Sequence, residues 1–85
     1  MLFEWDQAKS DRNKIKHGIS FEEVSEALVT NSVIATLKNP HHTEQQLWIF
    51  RSLDGRICSV AIERRGEHIR LISAHEDRKM RKKYD

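Results

Sequence analysis

Along the chain, apolar and polar positions change rhythm, and each change marks an element. Leu2 to Trp5 alternates and predicts a short strand. Asp6 then offers a carboxylate to the free N–H groups of a helix start, and Gly18 suits the left-handed conformation that closes a helix. A helix over about Gln7 to His17 follows. Its apolar content is thin: Ala8 and Ile15 stand seven apart, while Lys9, Asn13 and Lys16 follow at i, i+4 and i+7 on one polar face, so a surface helix is expected. Ser20 and Glu23 have the spacing of a capping box, flanked by the hydrophobic staple Ile19 and Val24. Phe21, Val24, Ala27 and Leu28 make the buried stripe of the second helix.

From Val33 onward the period is two. Val33 to Leu37 predicts a strand, and the polar stretch Lys38 to Gln45, with Pro40, the longest loop. Gln46 to Leu53 sets Leu47, Ile49 and Leu53 on one face against Trp48 and Phe50 on the other. Asp54-Gly55 turns the chain into Arg56 to Glu63, where Ile57 and Ala61 oppose Cys58, Val60 and Ile62. A second tight turn at Arg65-Gly66 leads to the alternating run His68 to Ala74. The last element is a short helix over about Glu76 to Tyr84, acidic at its start and basic at its end, with only Met80 and Tyr84 to anchor it. The expected fold is α+β: an antiparallel sheet, made of a short N-terminal strand and then a three- to four-stranded meander, with two N-terminal helices packed on it and a short basic C-terminal helix. The N-terminal strand and both long helices are expected to cover one face.

Composition narrows this further. The 85 residues make a single domain, 1–85, with no repeat or linker. The lone Cys58 excludes an internal disulfide and sits in an apolar run, which suits a core residue in a reducing, cytoplasmic setting. No signal peptide or membrane-spanning stretch is visible, so no membrane role is expected. The net charge of +2 hides an asymmetry. Arg64 to Asp85 holds eight basic and four acidic residues, whereas Ile19 to Glu63 holds three basic and six acidic. A basic C-terminal face points to an acidic partner, most commonly nucleic acid.

The N-terminal string Phe3-Glu4-Trp5-Asp6, with Lys9, Asn13, Lys16-His17-Gly18 and Phe21-Glu22-Glu23, resembles the opening signature of the BrnT family of type II toxins. Ile69-Arg70-Leu71-Ile72-Ser73-Ala74, followed by a basic helix ending in Tyr84, is similar to that family's closing signature. The resemblance implies a RelE-like fold, growth inhibition by RNA cleavage, and neutralisation by a ribbon-helix-helix, BrnA-like antitoxin that carries the DNA-binding part. The toxin would then meet DNA only indirectly. Two positions depart from the family pattern: His75 stands where an Arg is common after Ile-Ser-Ala, and Met80 where a Glu is common.

A small ribonuclease without metal or other cofactor needs a base, an acid and a fixed cation to drive a 2′-hydroxyl onto the neighbouring phosphate. Arg70, held on a strand and able to grip phosphate bidentately, is the candidate cation. His75, at the strand-to-helix junction, is the candidate acid or base. Tyr84 suits a packing anchor beside Met80, and its phenol also suits stacking on a base or proton donation. As the resemblance suggests, Lys9, Lys16 and His17 would line the other wall of an RNA groove; a solvated helix face explains the two lysines nearly as well. Arg81 is a candidate phosphate contact, amid the less specific attraction of Arg78, Lys79, Lys82 and Lys83. His41-His42 lacks the Cys or second clustered pair of a metal site, so no metal is expected. The rival to the ribonuclease reading is a catalytically inactive module that pairs with the antitoxin as a co-repressor on operator DNA. A general RNA-binding protein fits the charge but leaves the N-terminal signature unexplained.

Overall fold

The first helix lies between the two caps that the spacing predicts and the second begins at its predicted capping box, in a computed structural model that describes residues 2–85. Among the described residues the elements run β1 (Leu2–Glu4), α1 (Gln7–His17), α2 (Phe21–Asn31), β2 (Val33–Lys38), β3 (Gln45–Arg51), β4 (Ile57–Arg65), β5 (His68–Glu76) and α3 (Arg78–Tyr84). Asp6 accepts from the Lys9 N–H at 3.2 Å, and Gly18, at φ 77°, donates to the Lys14 carbonyl at 2.9 Å. Ser20 and Glu23 form the reciprocal capping box, at 3.1 and 2.9 Å.

The sheet order is β1-β5-β4-β3-β2. β2 to β5 form the antiparallel meander. β1 lies in the sheet, as the expected fold has it, and not over one face with the helices; it corrects the antiparallel expectation by pairing in parallel with β5, matching Leu2 to His68, Phe3 to Ile69 and Glu4 to Arg70. The sheet is therefore mixed. The reason is topological, because the chain leaves one edge of the sheet through α1 and α2 and re-enters at the other, so its first strand meets its last.

On one face α2 buries Phe21, Val24, Ala27 and Leu28 against Trp48, Phe50, Cys58, Val60, Ile62, Ile69, Leu71 and Ala74. On the opposite face Ile49 and Ile57 are also buried, and α3 packs back across β4. Leu53, expected on a strand face, lies in the turn and is exposed. Glu76 also moves, from the helix to the end of β5. Asp77 is then the α3 cap, accepting from the Met80 N–H at 3.1 Å.

α1 docks differently from expectation. Ile15 is 87% exposed and Ala8 is exposed as well, while Ser10 and Asn13 are the buried residues of the helix. Asn13 thus leaves the polar face to which its spacing from Lys9 and Lys16 assigned it. It donates to the carbonyls of Ile19 and Ala74 at 2.7 and 2.9 Å and accepts from the Ala74 N–H at 3.3 Å. Ser10 accepts from the Phe21 N–H at 2.8 Å and donates to Glu22. Polar bonds, with their partners fully supplied, seat this helix.

Candidate functional site

The alternation of β5 is broken once. Ala61 pairs with Ser73 but Ile62 pairs with Leu71, so Ile72 is an extra residue, a β-bulge. Before it Ile69 and Leu71 face the core; after it Ala74 does. Without the bulge, period two would send Ser73 and His75 into the core alongside Leu71. With it, both join Arg70 on the outer face. His75 is exposed there, its Nε2 3.4 Å from the Oγ of buried Ser59 on β4. The last turn of α1 brings a second imidazole beside it: the His17 and His75 ring centroids are 6.0 Å apart, tilted by 48°.

Two hollows meet at this pair. The larger, about 770 Å³, has a floor of Leu47, Ser59 and Ala61 and walls that include His41, His42, Arg78 and Lys79. The smaller, about 290 Å³, is lined by Lys9, Arg12, Asn13, Lys16 and His17. Ile72 and Ser73 border both, so the two are one continuous groove over the bulge. Among the described residues Lys9, Arg12, Lys16, Arg78 and Lys79 make no ion pair, whereas Arg51, Arg56, Arg65, Arg70 and Arg81 all do. Of the acids on the rim, Glu76 lies 3.9 Å from Arg56 and Asp77 is occupied in capping α3. The groove thus gathers five cations that no carboxylate neutralises.

Residues 5–83 match the family described as the ribonuclease toxin BrnT of type II toxin-antitoxin systems. This chain belongs to the BrnT family. The crystal structure of the Brucella abortus ribonuclease toxin BrnT shares its fold, with a TM-score of 0.67 at 22% identity, over 91% of this chain and 97% of that one. None of the curated proteins compared matches the sequence.

In this BrnT-family chain the structure gathers His75, His17, Lys9 and Lys16 along one groove. It leaves three other candidates outside. Arg70 is 27% exposed, 3.9 Å from Glu4 and in register with Glu63, roughly 15 Å along the strand from His75. Arg81 lies 3.9 Å from Asp85 and does not line the groove; it borders a third hollow, with Lys82, that shares Glu76 and Arg78 with the larger one. Tyr84 is half-buried in the last turn of α3, with the Lys83 ammonium 5.4 Å from its ring. Four groove residues were not singled out from sequence. Arg12 carried a signal, since it lies three residues from Lys9 and four from Lys16. Ser73 and Ser59 carried none, because a serine within an apolar strand reads as a packing residue. Asn13 was read as solvent-facing.

His17 is exposed, and partial desolvation first, then His75 and Lys16, lowers its pKa. The shift favours the neutral imidazole, the form that accepts a proton. Burial pushes the Cys58 thiol up, and with its side chain in the core it takes no part in the site. Among the described residues no three His, Cys, Asp or Glu side chains cluster as metal ligands, and no helix is long and apolar enough to cross a membrane.

Proposed function

We propose that this chain is a metal-independent endoribonuclease toxin that acts in the cytoplasm and is neutralised by a ribbon-helix-helix antitoxin, through which alone it meets operator DNA. The observation that carries this reading is the imidazole pair at 6.0 Å, set in a groove whose cations have no carboxylate partners. Neutral His17 takes the proton of a ribose 2′-hydroxyl as that oxygen bonds to the adjacent phosphorus. The bond from phosphorus to the 5′-oxygen breaks, and His75, in its protonated form, delivers a proton to the leaving oxygen. The products are a 2′,3′-cyclic phosphate and a 5′-hydroxyl end. Arg12 and Arg78 lie on either side of the pair and suit the bidentate stabilisation of the phosphorane. Ser59 orients the His75 ring. In this reading of a RelE-like toxin, Arg70 and Arg81 hold the RNA backbone away from the scissile phosphate, and Tyr84 anchors α3.

Expression in cells tests the assignment. The wild-type chain is expected to arrest growth, His75→Ala and His17→Ala to abolish the arrest while remaining folded, and co-expressed antitoxin to relieve it. Full arrest by His75→Ala would remove that residue from the chemistry. A folded wild type that binds antitoxin but neither arrests growth nor cuts RNA would favour the co-repressor module.

A further inference from the structure

We infer that Asn13 is a positioning residue: its carboxamide replaces a missing stretch of strand beside β5 and thereby holds His17 against His75. The inference rests on the ribonuclease reading of those two histidines and adds the device that sets their separation. β1 covers β5 only from His68 to Arg70, because the chain turns into α1 at Asp6. Beyond that point the backbone of β5 has no strand on its outer side, and the N–H and C=O of buried Ala74 would be left without partners there. Asn13 answers both groups, accepting from the Ala74 N–H at 3.3 Å and donating to the Ala74 carbonyl at 2.9 Å, as the peptide unit of a neighbouring strand would. Its remaining donated bond, at 2.7 Å, goes to the carbonyl of Ile19, just past the Gly18 cap.

These three bonds enclose the site. Asn13 lies one helical turn before His17 on α1, and Ile19 lies two residues after it, so one side chain pins the backbone on both sides of His17. The same side chain grips Ala74, the residue immediately before His75. No other residue on the described surface of α1 bonds to β5, since Ile15 and Ala8 face away and Ser10 serves α2. Asn13 also lines the smaller hollow beside Lys9, Arg12 and Lys16. The charged and titratable groups facing His17 are His75 from β5, Lys16 of its own helix and Arg12 and Lys9 along the groove. Arg56, which donates to the neighbouring Gly18 carbonyl at 3.4 Å, is paired with Asp54 and Glu76.

The test compares the wild type with Asn13→Ala by NMR titration of the histidine rings and by steady-state cleavage of a short RNA. With α1 released, the depressed His17 pKa is expected to rise toward the ordinary value of 6.5. Cleavage is expected to lose roughly 10- to 100-fold in kcat, the scale of an ångström's misplacement, with KM little altered. A folded Asn13→Ala protein with an unchanged His17 titration and unchanged kcat would overturn the inference. Should that variant fail to fold, hydrogen exchange of the wild type decides: the Ala74 amide and the Asn13 carboxamide protons are expected to be strongly protected, and rapid exchange at both would refute the clamp. The titration and exchange readings do not need activity, so they separate failure of the clamp from failure of the ribonuclease reading.

Discussion

At the scale of single residues, the account depends on two imidazoles in different settings. Because the His17 pKa is depressed, its neutral form is favoured in the fold, and the acid limb of the pH–rate profile is expected below the ordinary histidine value of 6.5. The same shift links to stability. In the window between the folded pKa and 6.5 the unfolded chain binds more protons, so His17 weakens the fold as pH falls through that window and has no effect above it. His75→Ala removes the second cause of the depression but leaves the partial desolvation, and NMR titration should show the His17 pKa rising only part of the way; no movement would mean that the rings do not interact. Arg70 is expected to behave otherwise. Paired with Glu4 and roughly 15 Å from His75, it should on truncation raise KM more than it lowers kcat, whereas a loss in kcat as large as that of His75→Ala would return Arg70 to the reacting phosphate.

At the scale of elements, what sequence made legible was local. Asp6, Gly18, Ser20 with Glu23, and Asp54-Gly55 each act within a few residues, and all four start, end or turn an element where their chemistry requires. The parallel docking of β1 on β5 was not legible, because it joins residues more than sixty apart that no local pattern links. Nor was the bulge: His68 to Ala74 reads as unbroken alternation, and Ile72 looks like any strand isoleucine. Asn13 escaped for a related reason, since what draws a polar side chain inward is the unpaired backbone of Ala74, a property of the assembled sheet. The bulge yields the sharpest expectation at this scale. Deleting Ile72 removes the extra residue and joins Leu71 to Ser73 in plain alternation, so His75 stays on the outer face and the variant should fold and keep cleavage; a folded deletion variant that has lost cleavage would show that the bulge does more than set which face His75 takes. α3 offers another. With seven residues, its Asp77 cap bond and no fully buried side chain, it should exchange amide hydrogens faster than α2 and lose about 1 kcal/mol of stability on Asp77→Ala.

Across the whole molecule, charge is sorted by position. The segment 19–63 is net acidic, while α1 brings Lys9, Arg12 and Lys16, and α3 brings Arg78 and Lys79, to the two walls of one groove. Such a surface attracts a polyanion along a line. If five cations meet phosphates, the logarithm of RNA affinity should fall against that of salt concentration with a slope of roughly −3 to −4, and each of Lys9, Arg12, Lys16 and Arg78 replaced by Ala should flatten it by about 0.7. The antitoxin is expected to use the same line, slowing exchange from Glu76 to Tyr84 as it covers or displaces α3; no change there on complex formation would separate its footprint from the RNA path. The central claim is that the His17–His75 groove cuts RNA without a metal. It is tested most directly by incubating the antitoxin-free chain with end-labelled RNA in excess EDTA beside His17→Ala and His75→Ala, and identifying the product ends. The account predicts 2′,3′-cyclic phosphate ends from the wild type and no cleavage by either folded variant. Cleavage that EDTA abolishes, or that survives loss of both imidazoles, would contradict it.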